Sequence, residues 1–202
     1  MKYKCITGGP ISENCYLLID EKTNQAAVVD PGFLNDVLLN EIKKYTVQRI
    51  LLTHGHFDHI WEADRLHEML GVPVCAYETE AAFAADDKQN GSLLMVYESI
   101  TCKVHEAFKD GETFQIGEVP VTVLHTPGHT AGGVSYITPD AVFTGDTLMG
   151  YSVGRCDLPT GNSAELRESL KKLAALPGNP DICGGHGPVT TLEDEKRRNP
   201  YL

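Results

Sequence analysis

Apolar and polar residues alternate over short stretches in the first third of the chain, and turn residues separate these stretches. The alternation predicts strands at 2–7, 15–19 and 25–29. Between Phe33 and Tyr45 the apolar residues recur at helical spacing, which predicts a helix. By the same two patterns we expect strands at 47–52, 72–76, 103–108, 113–116, 119–125, 133–137, 141–144 and 181–183, and helices at 58–70, 78–85 and 163–176.

Strands dominate each half of this pattern, and helices follow them. Such an order predicts an α/β protein in which helices cover the outer faces of two packed sheets. The 202 residues are enough for one domain with a large core, so we expect a single domain over residues 1–202.

The charge and composition of the chain indicate which binding partners and which cell compartment to expect. The formal net charge is −11, and such a chain repels phosphate backbones and anionic lipids, so we expect neither nucleic acid nor membrane as a partner. No apolar segment follows the N-terminal residues, so we expect no signal peptide and a cytoplasmic location. The six cysteines are scattered, which favours free thiols over a disulfide framework.

The strongest chemical signal is a run of three histidines and one aspartate directly after the apolar strand at 47–52. Its members are His54, His56, Asp58 and His59. His54 and His56 are two residues apart, so on an extended backbone both point to the same side. Imidazole with carboxylate is the ligand combination that suits Zn²⁺ and Fe²⁺.

Three later segments repeat the arrangement of a strand followed by a glycine- or proline-rich turn with one metal-binding side chain. These side chains are His129, Asp146 and His186. Loops at one end of a sheet core can converge on one pocket. Seven ligands exceed the need of one tetrahedral ion, so we expect two ions. Isolated histidines are usually structural, and we interpret His67, His105 and His125 in that way.

At these residues the chain resembles the metallo-β-lactamase superfamily, which carries H-x-H-x-D-H followed by a later His, Asp and His. The resemblance extends over Asp30-Pro31-Gly32, Thr126-Pro127-Gly128-His129 and Phe143-Thr144-Gly145-Asp146. Three further segments are typical of the short glyoxalase II-like branch, which is related to hydroxyacylglutathione hydrolases. They are Gly154–Pro159, Gly185–Pro188 and Glu195–Pro200.

This resemblance implies a four-layer αββα sandwich and a division of the ligands between two ions. His54, His56 and His129 would hold the first ion. Asp58, His59 and His186 would hold the second, and Asp146 would bridge them. Asp30 resembles the acid that orients ligating imidazoles in this superfamily, although a plain turn role is equally compatible with its sequence context.

The expected activity is hydrolysis of a small acyl-thiol substrate, of the hydroxyacylglutathione type, by a hydroxide held between two metal ions. Zinc is the expected metal, with iron and manganese as alternatives, because Zn²⁺ lowers the pKa of bound water from 15.7 to about 7. Asp58 is expected to act as a ligand first, and also to orient the hydroxide or take its proton. Tyr151 and Arg155 are candidate substrate contacts, but a pair of Arg155 with Asp157 that fixes the loop is the favoured interpretation.

Two other functions stay open. One is a persulfide dioxygenase with a single iron held by His54, His129 and Asp146. The other is a metal-binding domain without catalysis. A true β-lactamase is disfavoured because we expect no export signal.

Overall fold

Two six-stranded β-sheets form the centre of the protein in the computed structural model, which describes residues 1–202. The first sheet runs in chain order and contains β1 (Lys2–Gly8), β2 (Glu13–Asp20), β3 (Gln25–Val29), β4 (Thr46–Leu51), β5 (Val74–Tyr77) and β6 (Glu106–Phe108). Its first three strands are antiparallel, and β3 to β6 are parallel.

The second sheet has the spatial order β12-β11-β10-β9-β8-β7. It contains β7 (Thr113–Ile116), β8 (Val119–His125), β9 (Val134–Ile137), β10 (Ala141–Gly145), β11 (Asp181–Gly184) and β12 (Thr190–Thr191). Only β10 and β11 are parallel in this sheet.

Seven helices complete the fold, and none of them is long and apolar enough to cross a membrane. They are α1 (Asp36–Ile42), α2 (Phe57–Ile60), α3 (Ala63–Leu70), α4 (Glu80–Ala84), α5 (Ser92–Met95), α6 (Ser163–Ala174) and α7 (Leu192–Arg198).

Three apolar clusters separate four layers. In the middle cluster, Leu18 and Val29 of the first sheet share a core with Val123 and Phe143 of the second. A second cluster joins the other face of the first sheet to α1 and α3, and a third joins the second sheet to α6 and α7. This is the expected four-layer αββα sandwich. The alternation along β2 explains it, because Leu17 belongs to the outer cluster and Leu18 to the middle one.

Most predicted strands are present, and the differences lie mainly at helices. The predicted helix over 33–45 is shorter, because Asn35 caps α1 by accepting a hydrogen bond from the backbone N–H of Leu38. The predicted helix over 58–70 is wrong as one element, since it forms α2 and α3. The strand predicted at 103–108 is limited to β6, and β12 and α7 were not predicted.

Candidate metal centre

The candidate ligands all follow the ends of central strands. His54 and His56 come after β4, His129 after β8, and His186 after β11, while Asp146 directly follows β10. The two sheets pack face to face, so these loops meet at one end of the middle core. The structure therefore brings together all seven side chains that the sequence analysis selected.

His54, His56 and His129 form one group, in which the three ligand atoms lie within 4.8 Å of one another. The Nδ1 atom of His56 lies 2.8 Å from the Nε2 atom of His129. The Nε2 atom of His54 is buried and has no hydrogen-bond partner. Three imidazoles thus direct ring nitrogens toward one small volume.

Asp58, His59 and His186 form a second group of the same compactness. The Oδ2 atom of Asp58 lies 3.2 Å from Nε2 of His59 and 3.1 Å from Nε2 of His186. This group combines one carboxylate with two imidazoles, and α2 supplies Asp58 and His59 from adjacent positions.

Asp146 lies between the two groups. Its Oδ2 atom is 3.6 Å from Nε2 of His129 in the first group and 3.8 Å from Nε2 of His186 in the second. Its Oδ1 atom is 3.5 Å from Nε2 of His59. A carboxylate in this place is able to contact two ions at once.

The donor set fits metal ions better than an ordinary polar cluster. Buried polar atoms are normally hydrogen-bonded, yet the Nε2 atoms of His54 and His59 and the Oδ1 atom of Asp146 are buried without a partner. Two of them, Nε2 of His59 and Oδ1 of Asp146, lie 3.5 Å apart. Imidazole and carboxylate ligands in this number suit zinc or iron, so the residues present fit two divalent ions.

Asp30 connects the outer edges of both groups. Its carboxylate accepts hydrogen bonds from the backbone N–H and the hydroxyl of Thr53, at 2.7 and 2.6 Å, and contacts Nδ1 of His59 at 3.1 Å. The Thr53 hydroxyl in turn lies 3.1 Å from Nδ1 of His54. Asp30 therefore orients imidazoles from outside the cluster, as outer partners of metal ligands do.

The protonation of the two groups differs. Burial lowers the pKa of His54 and of His56, and neighbouring imidazoles add to this effect, so both histidines are neutral and able to bind a metal. Burial opposes charge on His59 and on Asp58, but their attraction outweighs it. The pKa of His59 is raised well above its usual value and that of Asp58 is held well below. In the second group the charges of the carboxylate and the imidazole thus stabilise each other.

Arg155 and Tyr151 are engaged by other residues. The Arg155 guanidinium donates to both carboxylate oxygens of Asp157, at 2.6 and 2.7 Å, as the favoured interpretation expected. Its backbone carbonyl accepts from Nδ1 of His129 at 2.7 Å and so orients that imidazole. The Tyr151 hydroxyl accepts from Arg198 at 3.0 Å, and Tyr151 is not among the residues that line the cleft over the site.

The three histidines interpreted as structural lie outside the cluster. His67 and His105 stack on each other, with ring centroids 3.9 Å apart. His125 stacks on Tyr77 at 4.2 Å. All six cysteines are free, and Cys156 is half-buried with its Sγ atom 3.9 Å from the Gly154 carbonyl.

A cleft of about 220 Å³ opens over the two groups. Besides His56, Asp58, His129, Asp146 and His186, much of its wall is apolar. The apolar side chains of the wall are Ile11, Phe57, Met95, Met149, Val153 and Leu158. No pattern in the sequence predicts this wall, because Ile11 and Met95 come from segments that carry no motif.

The chain belongs to the metallo-β-lactamase superfamily, since the family model described as "Metallo-beta-lactamase superfamily" matches residues 8–186. Among curated relatives, the "Probable metallo-hydrolase YqgX" of Bacillus subtilis is 37% identical over 208 residues, covering 100% of this chain and 98% of the relative. The "Hydroxyacylglutathione hydrolase GloC" of Haemophilus influenzae is 31% identical over 209 residues, covering 100% and 98%.

Solved structures agree with this placement. The "BLEG-1 B3 metallo-beta-lactamase" is 34% identical with a TM-score of 0.93, covering 100% of this chain and 99% of that one. The structure of TTHA1623 "in a di-iron-bound form" is 33% identical with a TM-score of 0.84, covering 98% and 100%.

Proposed function

We propose that this chain is a metal-dependent hydrolase that cleaves thioesters of small acyl-thiols with two divalent ions. The observation that carries the proposal is the pair of ligand groups with Asp146 between them. The first ion would be held by His54, His56 and His129, and the second by Asp58, His59 and His186. The relative named as a hydroxyacylglutathione hydrolase supports the substrate class, and the neighbour in a di-iron-bound form supports a count of two ions.

Two ions bound in this site would lower the pKa of a water molecule to about 7 and polarise the substrate carbonyl. The chain itself supplies no serine or cysteine nucleophile to the cleft wall. The Oδ2 atom of Asp58 lies 3.2 Å from Nε2 of His59 and 3.1 Å from Nε2 of His186, at the place where the second ion would be held. We therefore assign Asp58 a ligand role and, secondarily, the role of accepting a proton from the attacking water.

The cleft wall supports a small acyl-thiol better than a strongly anionic substrate. Arg155 is the only Lys or Arg in the wall, and Asp157 already pairs with it in a bidentate contact. The apolar residues around the cleft would pack against acyl and alkyl groups. Glutathione carries carboxylates, so we do not assume that the thiol of the substrate is glutathione. Assays with glutathione thioesters and with uncharged thioesters would decide this.

Metal analysis combined with substrate assays tests the proposal. We expect about two zinc ions per purified chain and hydrolysis of S-lactoylglutathione or of simpler acyl thioesters. Asp58→Ala and His186→Ala should each remove most of this activity and lower the metal count toward one. His105→Ala, which changes an exposed imidazole outside the cluster, is the matched control and should keep both.

Other outcomes assign other functions. One iron per chain together with persulfide-dependent oxygen uptake would replace the hydrolase by a mononuclear dioxygenase that uses His54, His129 and Asp146. Two bound ions without turnover of any thioester or lactone would indicate a non-catalytic metal-binding domain. Full activity in both Asp58→Ala and His186→Ala would disprove the two-metal mechanism.

A β-lactam is the second candidate substrate. The specific observation is the likeness to the structure named as a B3 metallo-β-lactamase, at 34% identity over the whole chain. The same purified protein should therefore be assayed with a penicillin and a carbapenem. A kcat/KM for β-lactams above that for every thioester would move the assignment to this class.

A further inference from the structure

The buried carboxylate of Glu80 lies next to the backbone of the first ligand group. Glu80 is the first residue of α4 and is only 1% exposed. No lysine or arginine pairs with it. Nothing in its sequence context resembles a metal or catalytic motif. A buried carboxylate is costly unless hydrogen bonds compensate it, so its partners show what it does.

The first partner is the turn between two metal ligands. The Oε1 atom of Glu80 accepts a hydrogen bond from the backbone N–H of Gly55 at 2.9 Å. Gly55 separates His54 from His56. This contact therefore fixes the turn from which two of the three imidazoles of the first group project.

The second partner is the loop of the third ligand. The Glu80 carboxylate also lies directly against the backbone of Gly132. A Cβ atom added to Gly132 would lie only 2.2 Å from the Oε2 atom of Glu80. Gly132 follows His129 by three positions, so one carboxylate contacts both loops that supply the first group, one by a hydrogen bond and the other by close packing.

The rest of α4 packs against the turn that contains Gly55. The ring of Phe83 contacts the ring of His56 edge to face, with centroids 5.3 Å apart. A Cβ atom on Gly55 would lie 3.0 Å from the Cβ atom of Ala84. The helix thus supports the His54–His56 turn on one side, while Asp30 supports His59 from the other.

We infer that Glu80 is a positioning residue that holds His54, His56 and His129 at the separation one metal ion requires. This inference rests on the two-ion site of the proposed function. Glu80 belongs to neither ligand group and does not line the cleft. Its contribution is the fixed distance between two loops that come from different sheets.

Metal affinity measured separately from folding stability tests this role. Glu80→Gln keeps the shape of the side chain, but its amide has one acceptor oxygen instead of two. Of the two oxygens, Oε1 at Gly55 and Oε2 at Gly132, one is therefore replaced by an NH₂ group, which alters the contact with one of the two loops. We expect the affinity of one of the two zinc ions to fall about 10- to 100-fold, the range for outer partners of metal ligands, while the other ion keeps its affinity within about twofold.

The affected ion is identified in a background that contains only the first group. In the double variant Asp58→Ala and His186→Ala, competition with a chromogenic chelator reports on the remaining ion. Adding Glu80→Gln to this background should weaken that ion by the same factor. Glu78→Gln, an exposed substitution two residues earlier, is the matched control and should leave both affinities unchanged.

The results that would disprove the role of Glu80 differ from those that would disprove the proposed function. A wild-type protein that binds no ion would disprove the two-ion site itself. Two ions bound with wild-type affinity in Glu80→Gln, even with a lowered Tm of the metal-free protein, would make Glu80 purely structural and disprove the inference. If Glu80→Gln does not fold, Gly132→Ala decides, because its Cβ displaces the carboxylate without removing it and should weaken the same ion.

Discussion

Gly32 shows how a single residue without a functional side chain controls the site. A Cβ atom at this position would lie 1.3 Å from the backbone oxygen of Asp58 and 2.7 Å from Oε2 of Glu13. The first contact is with backbone, so no rotation of a side chain relieves it. Only glycine lets the loop after β3 pass directly against the helix that carries Asp58 and His59.

Gly32→Ala should therefore displace Asp58. We expect the second ion to be lost and the free energy of unfolding of the metal-free protein to fall by about 1–3 kcal/mol, the usual cost of overpacking. Urea denaturation and a metal count on the same preparation measure both effects. A variant that keeps two ions and the wild-type denaturation midpoint would show that the loop yields without moving Asp58.

The sequence was sufficient to predict which side chains meet in the candidate metal centre, but not the residues that support them. His54, His56, Asp58 and His59 form a compact motif, and His129, Asp146 and His186 each follow a recognisable strand, so ligand chemistry and strand ends point to one site. Glu80 and Gly32 act through backbone groups that are distant along the chain. Their residue types are common on surfaces and in turns, and only the packing of α2 and α4 shows what they contact.

At the scale of elements, the ends of strands determine where the candidate ligands lie. The ends of helices depend on contacts with distant parts of the chain. Alternation and turn residues were enough to predict β3, β7 and β8 with their observed bounds. The single helix expected over 58–70 is interrupted instead, because the backbone N–H of Glu62 donates to the Pro31 carbonyl at 3.0 Å. The carbonyl of Asp58, which would accept it in a continuous helix, packs against Gly32. The spacing of apolar residues along the chain cannot predict this hydrogen bond.

The start of α6 connects a helix to a ligand loop. The Asn162 side chain accepts hydrogen bonds from the backbone N–H groups of Ala164 and Glu165. The backbone N–H of Asn162 donates to the Gly128 carbonyl at 2.8 Å. Asn162→Ala should cost about 0.5–2 kcal/mol of stability, the usual value of a helix N-cap. Thermal unfolding of the metal-free protein measures it. The exposed Ser163→Ala is the control, and an equal loss in both variants would contradict a capping role.

Asp20, at the end of β2, joins the first sheet to the hairpin of the second. Its carboxylate accepts from the Glu118 N–H at 2.8 Å and from the Thr23 hydroxyl at 2.7 Å. The first of these bonds is the main cause that lowers the pKa of Asp20 from 3.8 to about 2. A carboxyl whose pKa is depressed by folding stabilises the fold above its unfolded pKa, and loses this contribution as pH falls through the folded value.

Asp20→Asn should therefore lower the Tm at neutral pH, and the difference from wild type should shrink between pH 3.8 and about pH 2. Thermal unfolding at a series of pH values follows this difference. Glu21→Gln, at the exposed neighbouring position, should show no such trend. A difference that stays constant down to pH 2 would mean that the Asp20 charge contributes nothing to stability.

At the scale of the whole molecule, each ligand group takes members from both sheets. The first group combines His54 and His56, which follow a strand of the first sheet, with His129 from the second. The second group combines Asp58 and His59 with His186 in the same way. The middle core already joins the two sheets through apolar contacts, so ions bound here would add cross-links at the end of that core.

Metal binding should consequently stabilise the whole fold. A ligand present at 100 times its Kd adds about 2.7 kcal/mol per site, and in a chain of this size each kcal/mol corresponds to about 2–4 °C in Tm. We expect removal of metal with a chelator to lower the Tm by roughly 5–10 °C for each ion lost, and added zinc to restore it. The double variant Asp58→Ala and His186→Ala, which keeps one group, should show about half the wild-type shift. A Tm that is the same with and without bound metal would contradict this expectation, because by the same relation the unfolded chain would have to bind the ions as tightly as the folded protein does.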